Sequence, residues 1–159
     1  MRIFPQFKLL TAETAEAGGL ARARLFNGKA LGLLAQKGDA RYFIELEGHD
    51  ASFPETFHVK TDFAVLAFTG SLELRILPDS IVVEDGGHWR KPGYLVLSGS
   101  RCLLPVKDQV TGTCYYEFET GRIVPEPAST VYAIAHSWSL HLQDPSTAQS
   151  VQVFAWPRQ

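Results

Sequence analysis

"LARARLFNGKALGLLAQ", residues 20–36, holds two strand-like runs on either side of Asn27-Gly28. That dipeptide takes positive φ at both central positions of a type I′ turn at little cost, so the stretch reads as a β-hairpin. With Asn27 and Gly28 in the loop, Phe26 faces Lys29, Arg24 faces Leu31 and Arg22 faces Leu33, all on one side. Ala21, Ala23, Leu25, Ala30, Gly32 and Leu34 share the other. One face is small and apolar, while the face that ought to be wet mixes two arginines with Phe26, Leu31 and Leu33. Three explanations stand side by side. Either the arginine stems lie over the leucines with their heads in water, or a bulge at Gly32 slips the register. The second is that the face is a subunit contact, where apolar side chains beside arginine are enriched. The third points Arg22 and Arg24 into a barrel, toward an anionic ligand.

The rest of the chain has the same texture. Short apolar runs separated by Gly, Pro, Asp and Ser recur at the spacing of an all-β sandwich or barrel. In "RYFIELEG", Tyr42, Ile44 and Leu46 alternate with Phe43, Glu45 and Glu47. "FAVLAF", residues 63–68, is apolar on both sides and reads as a central strand covered twice. "SLELRI" turns Leu72, Leu74 and Ile76 inward and Glu73 and Arg75 outward. Further strands are expected at 80–84, 94–98, 101–106, 113–119, 130–142 and 151–156. "TAETAEAGG" alone reads as helical: Thr11 caps, Ala and Glu favour the helix, and Gly18-Gly19 stops it after one or two turns. The expected fold class is therefore all-β, a jelly roll or related two-sheet antiparallel β-sandwich or barrel with one short N-terminal helix. A chain of 159 residues predicts a single β-sandwich domain spanning 1–159.

Fifteen Lys and Arg against seventeen Asp and Glu leave a net charge of −2. That supplies no field for drawing in nucleic acid or an anionic membrane, so neither is expected as a partner. The leading "MRIFPQFKLL" has a proline at position 5 and charges at 2 and 8, unlike the apolar core of a signal peptide. No apolar run approaches the ~18 residues of a membrane helix. The expected location is cytoplasmic, or part of a particle assembled in the cytoplasm. Cys102 and Cys114 match no zinc or redox spacing. On a hairpin they would sit symmetrically about Asp108 and could face one another, although cytosolic thiols are normally kept reduced.

Chemistry-bearing residues are few. In "TVYAIAHSWSLHL", Tyr132, Ile134, His136, Trp138, Leu140 and Leu142 share a face, and His141 falls on the opposite one, toward solvent. His136 is either a core histidine satisfied by a hydrogen bond or a base or ligand-binding group beside Trp138. "EDGGHWRKPG" gathers His88, Trp89, Arg90 and Lys91 on a loop. There Trp89 either folds back over its own core or stacks on a sugar or a protein partner. Glu45 and Glu47, and Glu117 and Glu119, form pairs two residues apart. Paired carboxylates can hydrolyse glycosides, but on an outward strand face they are usually a wet surface. No nucleophile elbow, dinucleotide glycine fingerprint, phosphate loop or zinc-protease helix motif is present.

Residues 56–104, less than a third of the chain, carry a pattern that resembles the cupin superfamily. Gly70 fills the glycine of that family's first motif and His58 its second histidine, while Thr56 and Phe63 stand where the first histidine and the glutamate would be. In the second motif "KPGY" resembles the turn before a strand, with Gly93 matching. The later proline, glycine and histidine positions fall on Gly99, Arg101 and Leu104. The resemblance implies a jelly-roll barrel in which one metal ligand in four survives, so no metal and no cofactor are expected.

Two functions follow as expectations. The first is a non-enzymatic binding or assembly module that self-associates or grips a protein partner, as in a larger complex or virus-like particle. Phe26, Leu31, Leu33 and Trp89 would form its interface. The second is a cupin-like barrel that binds or transforms a small molecule, such as a sugar or organic acid, without a bound metal. His58, His136, Trp138, Arg22 and Arg24 would line its cavity.

Overall fold

The computed structural model describes residues 5–26, 28–47, 54–83, 93–108, 110, 112–127 and 132–157. Alternating apolar residues and turn-forming breaks give strands throughout. The first seven are β1 (Phe7–Thr11), β2 (Leu20–Leu25), β3 (Gly28–Lys37), β4 (Ala40–Glu45), β5 (Glu55–Val59), β6 (Ala64–Phe68) and β7 (Ser71–Ile76). After a 3₁₀ turn at Pro78–Ser80 come β8 (Ile81–Val83), β9 (Leu95–Ser98), β10 (Arg101–Asp108), β11 (Gly112–Glu117) and β12 (Arg122–Val124). The last are β13 (Ala133–Ala135), β14 (Trp138–Gln143) and β15 (Ser150–Trp156). The class is all-β, with no α-helix among the described residues.

Six strands close into a ring. β3 pairs with β4, β4 with β5, β10 with β11 and β11 with β12, all antiparallel. Two short parallel contacts complete it, β5 against the end of β10 and β12 against β3 at Arg122 and Gln36. A closed sheet has no edge there, and its inward side chains fill the middle. Leu33, Ala35, Ile44, Leu104, Val106 and Tyr116 are buried together in that cluster. Each wholly buried leucine or isoleucine contributes about 1.5–3 kcal/mol relative to exposure. β10 changes partner midway: residues 101–103 pair with β9, and Lys107 and Asp108 with β5. Pro105, which has no N–H to donate, falls in the gap between them.

From β3 the sheet continues through β2 and β6 to β1, and from β10 through β9 and β13 to β8. A second sheet, in the order β15-β14-β7, packs against the ring through Trp138, Leu140, Leu142 and Phe154. Leu72, Leu74 and Ile76 of β7 pack on the same cluster, as their alternation predicts.

The hairpin that opens the sequence reading forms with a different register. Leu25 pairs with Gly28, Arg24 with Lys29, Arg22 with Leu31 and Leu20 with Leu33, two residues from the expected alignment. The shift is even, so every side chain keeps its face. Leu20, Leu31 and Leu33 join the ring cluster, while Ala21, Ala23, Ala30 and Leu34 join a second core with Ala12, Ala15, Phe43 and Val65. No bulge occurs at Gly32, whose pairing is continuous on both sides. A Cβ at Gly32 would stand 2.2 Å from the Ile44 carbonyl oxygen and 2.5 Å from the Phe43 ring, so only glycine permits this contact.

Two expectations about elements are corrected. The N-terminal helix is a single turn: Thr14 N–H reaches the Thr11 hydroxyl and Ala15 N–H the Thr11 carbonyl. It stops there because Ala12 N–H donates to Phe63 and Gly18 N–H to Leu34, and because Ala12 and Ala15 are buried in the second core. Tertiary partners override helix propensity. The strand expected at 130–142 is two, β13 in the long sheet and β14 in the short one. Ser80 pins the crossing, accepting the His136 N–H at its carbonyl and the Ser137 N–H at its hydroxyl. Ile134 therefore lies in a third cluster with Tyr94 and Tyr115, not beside Trp138. "FAVLAF" is central by pairing, between β1 and β2, but Leu66 and Phe68 are only half-buried.

Candidate functional site

The long sheet ends in two edges. β1 pairs only with β6, and β8 only with β13, among the described residues. Both edges are apolar: Phe7 is 57% exposed, Leu9 75% and Val83 70%, with Ile81 and Val82 also exposed. Natural edge strands are blunted by lysine, proline or bulges. β1 carries one lysine, Lys8, and β8 carries no charge.

One row across the sheet explains the mixed face of the hairpin. In register, Leu9 faces Leu66, Leu66 faces Arg22, and Arg22 faces Leu31. Leu9 is exposed, Leu66 half-buried, Arg22 exposed and ion-paired with Glu47 at 3.7 Å, and Leu31 buried. The second sheet's cover fades toward β1. Leu31 and Leu33 are thus core residues and not interface, while Phe7 and Leu9, which sequence reasoning missed, stand in the open. The signal for them was "FKLL", apolar at Phe7 and Leu9 on one side and at Leu10 on the other.

A cleft of about 820 Å³ opens where three turns meet. Its walls are Thr14 and residues 16–20, residues 67–72 and residues 118–121, with Lys8 and Leu10 from β1, Leu34 from β3 and Leu142 from β14. Gly121 allows the turns to meet, because a Cβ there would lie 2.5 Å from the Gly18 nitrogen. Phe68 and Phe118 border the cleft. Phe68 is held edge-on by Phe7 at 6.3 Å, and Phe118 by Tyr116 at 5.1 Å. Glu119 accepts the Cys102 N–H at 2.8 Å, which orients its carboxylate.

The other expected site residues lie apart from one another. His58 is exposed on β5, its ring 5.3 Å from that of Tyr42. Phe63 packs on the second core and Leu104 is inside the ring, so these three positions of the cupin-like pattern do not converge. Trp138 is buried in the ring cluster and donates its indole N–H to the Gly93 carbonyl at 2.6 Å. His136, half-buried, keeps Nδ1 buried without a hydrogen-bond partner among the described residues. Arg24 is exposed, and Phe26 stands fully exposed at the hairpin tip. Trp89, with His88, Arg90 and Lys91, lies outside the described residues, as does Asn27. No group of three or more His, Cys, Asp or Glu is placed to hold a metal among the described residues.

The carboxylate pairs are not simply wet. Glu45 is 7% exposed, and Glu117 is buried beside Arg101. The Thr120 hydroxyl, donating at 2.6 Å, and then Arg101 hold the Glu117 carboxyl below its ordinary value. The two cysteines are both free and buried. Cys114 faces Val106, because the hairpin is centred near residue 110 and not at Asp108. Burial, and then the Glu119 charge, push the Cys102 thiol up to about 12. On the outer face of the short sheet Arg75 grips Glu73 with two bonds, at 3.0 and 3.1 Å, and Ser139 bonds His141 at 2.9 Å. Burial, then Arg75, lowers the His141 pKa against the pull of Glu73.

Comparison with protein-family models, with curated proteins and with solved structures returns no match.

Proposed function

We propose that this chain is a non-enzymatic assembly module whose partner is, first, a second copy of itself, joined through the β1 edge. The observation that carries the reading is the exposed pair Phe7 and Leu9 on β1, an edge strand whose only partner among the described residues is β6. Antiparallel pairing of two β1 strands about a two-fold axis at Leu9 sets Leu9 against Leu9, Lys8 against Leu10 and Phe7 against Thr11. No like charges meet in that register, and the self-complementary contact closes on itself. Main-chain hydrogen bonds supply affinity, as when an extended segment adds to a sheet. The architecture behind it is a two-sheet, jelly-roll-like β-barrel, a reading supported by the ring and its covering sheet.

A cupin-like small-molecule barrel is the weaker reading. Gly70 and Gly93, both at positive φ, support it as turn residues. Against it, the inside of the ring is filled by apolar side chains. Sedimentation of the wild-type chain and of Leu9→Glu tests the assembly reading: the wild type dimerises with rising concentration and the variant does not.

A further inference from the structure

We propose that the cleft between the three turns binds a neutral saccharide. This goes beyond the edge pairing: from β1 the cleft takes Lys8 and Leu10, which alternate with Phe7 and Leu9, and Phe7 bears on it only through its contact with Phe68. Its volume of about 820 Å³ lies within the usual range for small-molecule sites and gives room for a short oligosaccharide.

The ligand class follows from the lining. A sugar ring presents an apolar C–H face and a girdle of hydroxyls, and it needs an aromatic surface together with hydrogen-bonding groups of both kinds. Phe68 and Phe118 supply the aromatic surface, each already fixed by an edge-on neighbour, so little side-chain freedom is lost on binding. Glu16 and Glu119 supply carboxylate acceptors, and Lys8 and Ser71 supply donors. Glu119 is oriented by the Cys102 N–H, while Lys8, Glu16 and Ser71 have no side-chain partner among the described residues. Among these charged groups two are acidic and one basic, which disfavours anions.

The test titrates the full-length protein, ¹⁵N-labelled, with maltotriose, cellotriose, triacetylchitotriose, the acidic trisaccharide trigalacturonate and a tri-lysine peptide. At least one neutral trisaccharide is expected to shift the amides of residues 69–72 and 118–121 at concentrations up to about 10 mM. Glu119→Gln, which keeps an acceptor for the Cys102 N–H, weakens that binding about tenfold. Ser71→Trp, an exposed substitution at the lip, abolishes it while the spectrum stays folded. No cleft shifts with any neutral trisaccharide, tighter binding by trigalacturonate or tri-lysine, or wild-type affinity in Ser71→Trp would each overturn the proposal.

Discussion

Replacing Leu9 by glutamate isolates the edge contact from the fold. Leu9 is 75% exposed in the single chain, so its replacement leaves the core intact and shifts folding stability by no more than about 0.5 kcal/mol. In the paired edge that three-quarters of the side chain becomes buried. Full burial of a leucine is worth about 1.5–3 kcal/mol, so each copy contributes about 1–2 kcal/mol and the pair at the axis about 2–4 kcal/mol. At 1.4 kcal/mol per decade, the dimer is weakened roughly 30- to 700-fold, before the repulsion of two facing carboxylates. Sedimentation velocity over a concentration series reads this directly, with a urea titration showing that both chains fold equally well. Val83→Glu, on the opposite edge, leaves a two-fold β1 dimer unchanged. A wild type that stays monomeric up to about 1 mM, or a Leu9→Glu chain that associates within threefold of wild type, refutes the reasoning.

Gly32→Ala drives a methyl group against the Ile44 carbonyl and the Phe43 ring, and backbone cannot yield as a flexible side chain does. The urea midpoint falls by the equivalent of about 1–3 kcal/mol, and an unchanged midpoint refutes the close approach. Cys102 and Cys114 are buried free thiols, so an aromatic disulfide reagent at pH 8 modifies neither in the native protein and both after unfolding. The Cys102 pKa is raised on folding, so its contribution is complete below the ordinary thiol value of 9.0 and is lost as pH rises through about 12. Stability measured across that window declines less steeply in Cys102→Ala than in wild type. Glu117 behaves oppositely: its pKa is lowered on folding, so its contribution is present above the ordinary carboxylate value of 4.5 and lost as pH falls through the folded value. Glu117→Gln flattens the acid limb of a stability-versus-pH curve, and an unaltered limb counts against the Thr120 and Arg101 contacts.

Much of the fold was legible because strand alternation is local. The faces assigned to residues 20–34 survive although the pairing moved by two. Cys102 and Cys114 likewise both enter the ring cluster although their hairpin is centred near residue 110. Even shifts preserve faces, and only odd ones would have exchanged them. The site was less legible, because exposure depends on what lies above a face. Leu31 and Leu33 looked like contact residues until the second sheet covered them. Leu9 drew no reading from the sequence, and it is the pairing of β1 with β6 that makes it an edge residue.

By itself, then, the sequence determined an all-β chain, most of its breaks and, within each continuous strand, which side chains share a side, since these depend on residues two apart and on turn dihedrals. Tertiary structure alone decided the closure of six strands into a ring, the single turn at Thr11, the crossing at Ser80 and the two open apolar edges. Each depends on partners dozens of residues away, and no local pattern encodes which of several equally apolar faces will find one.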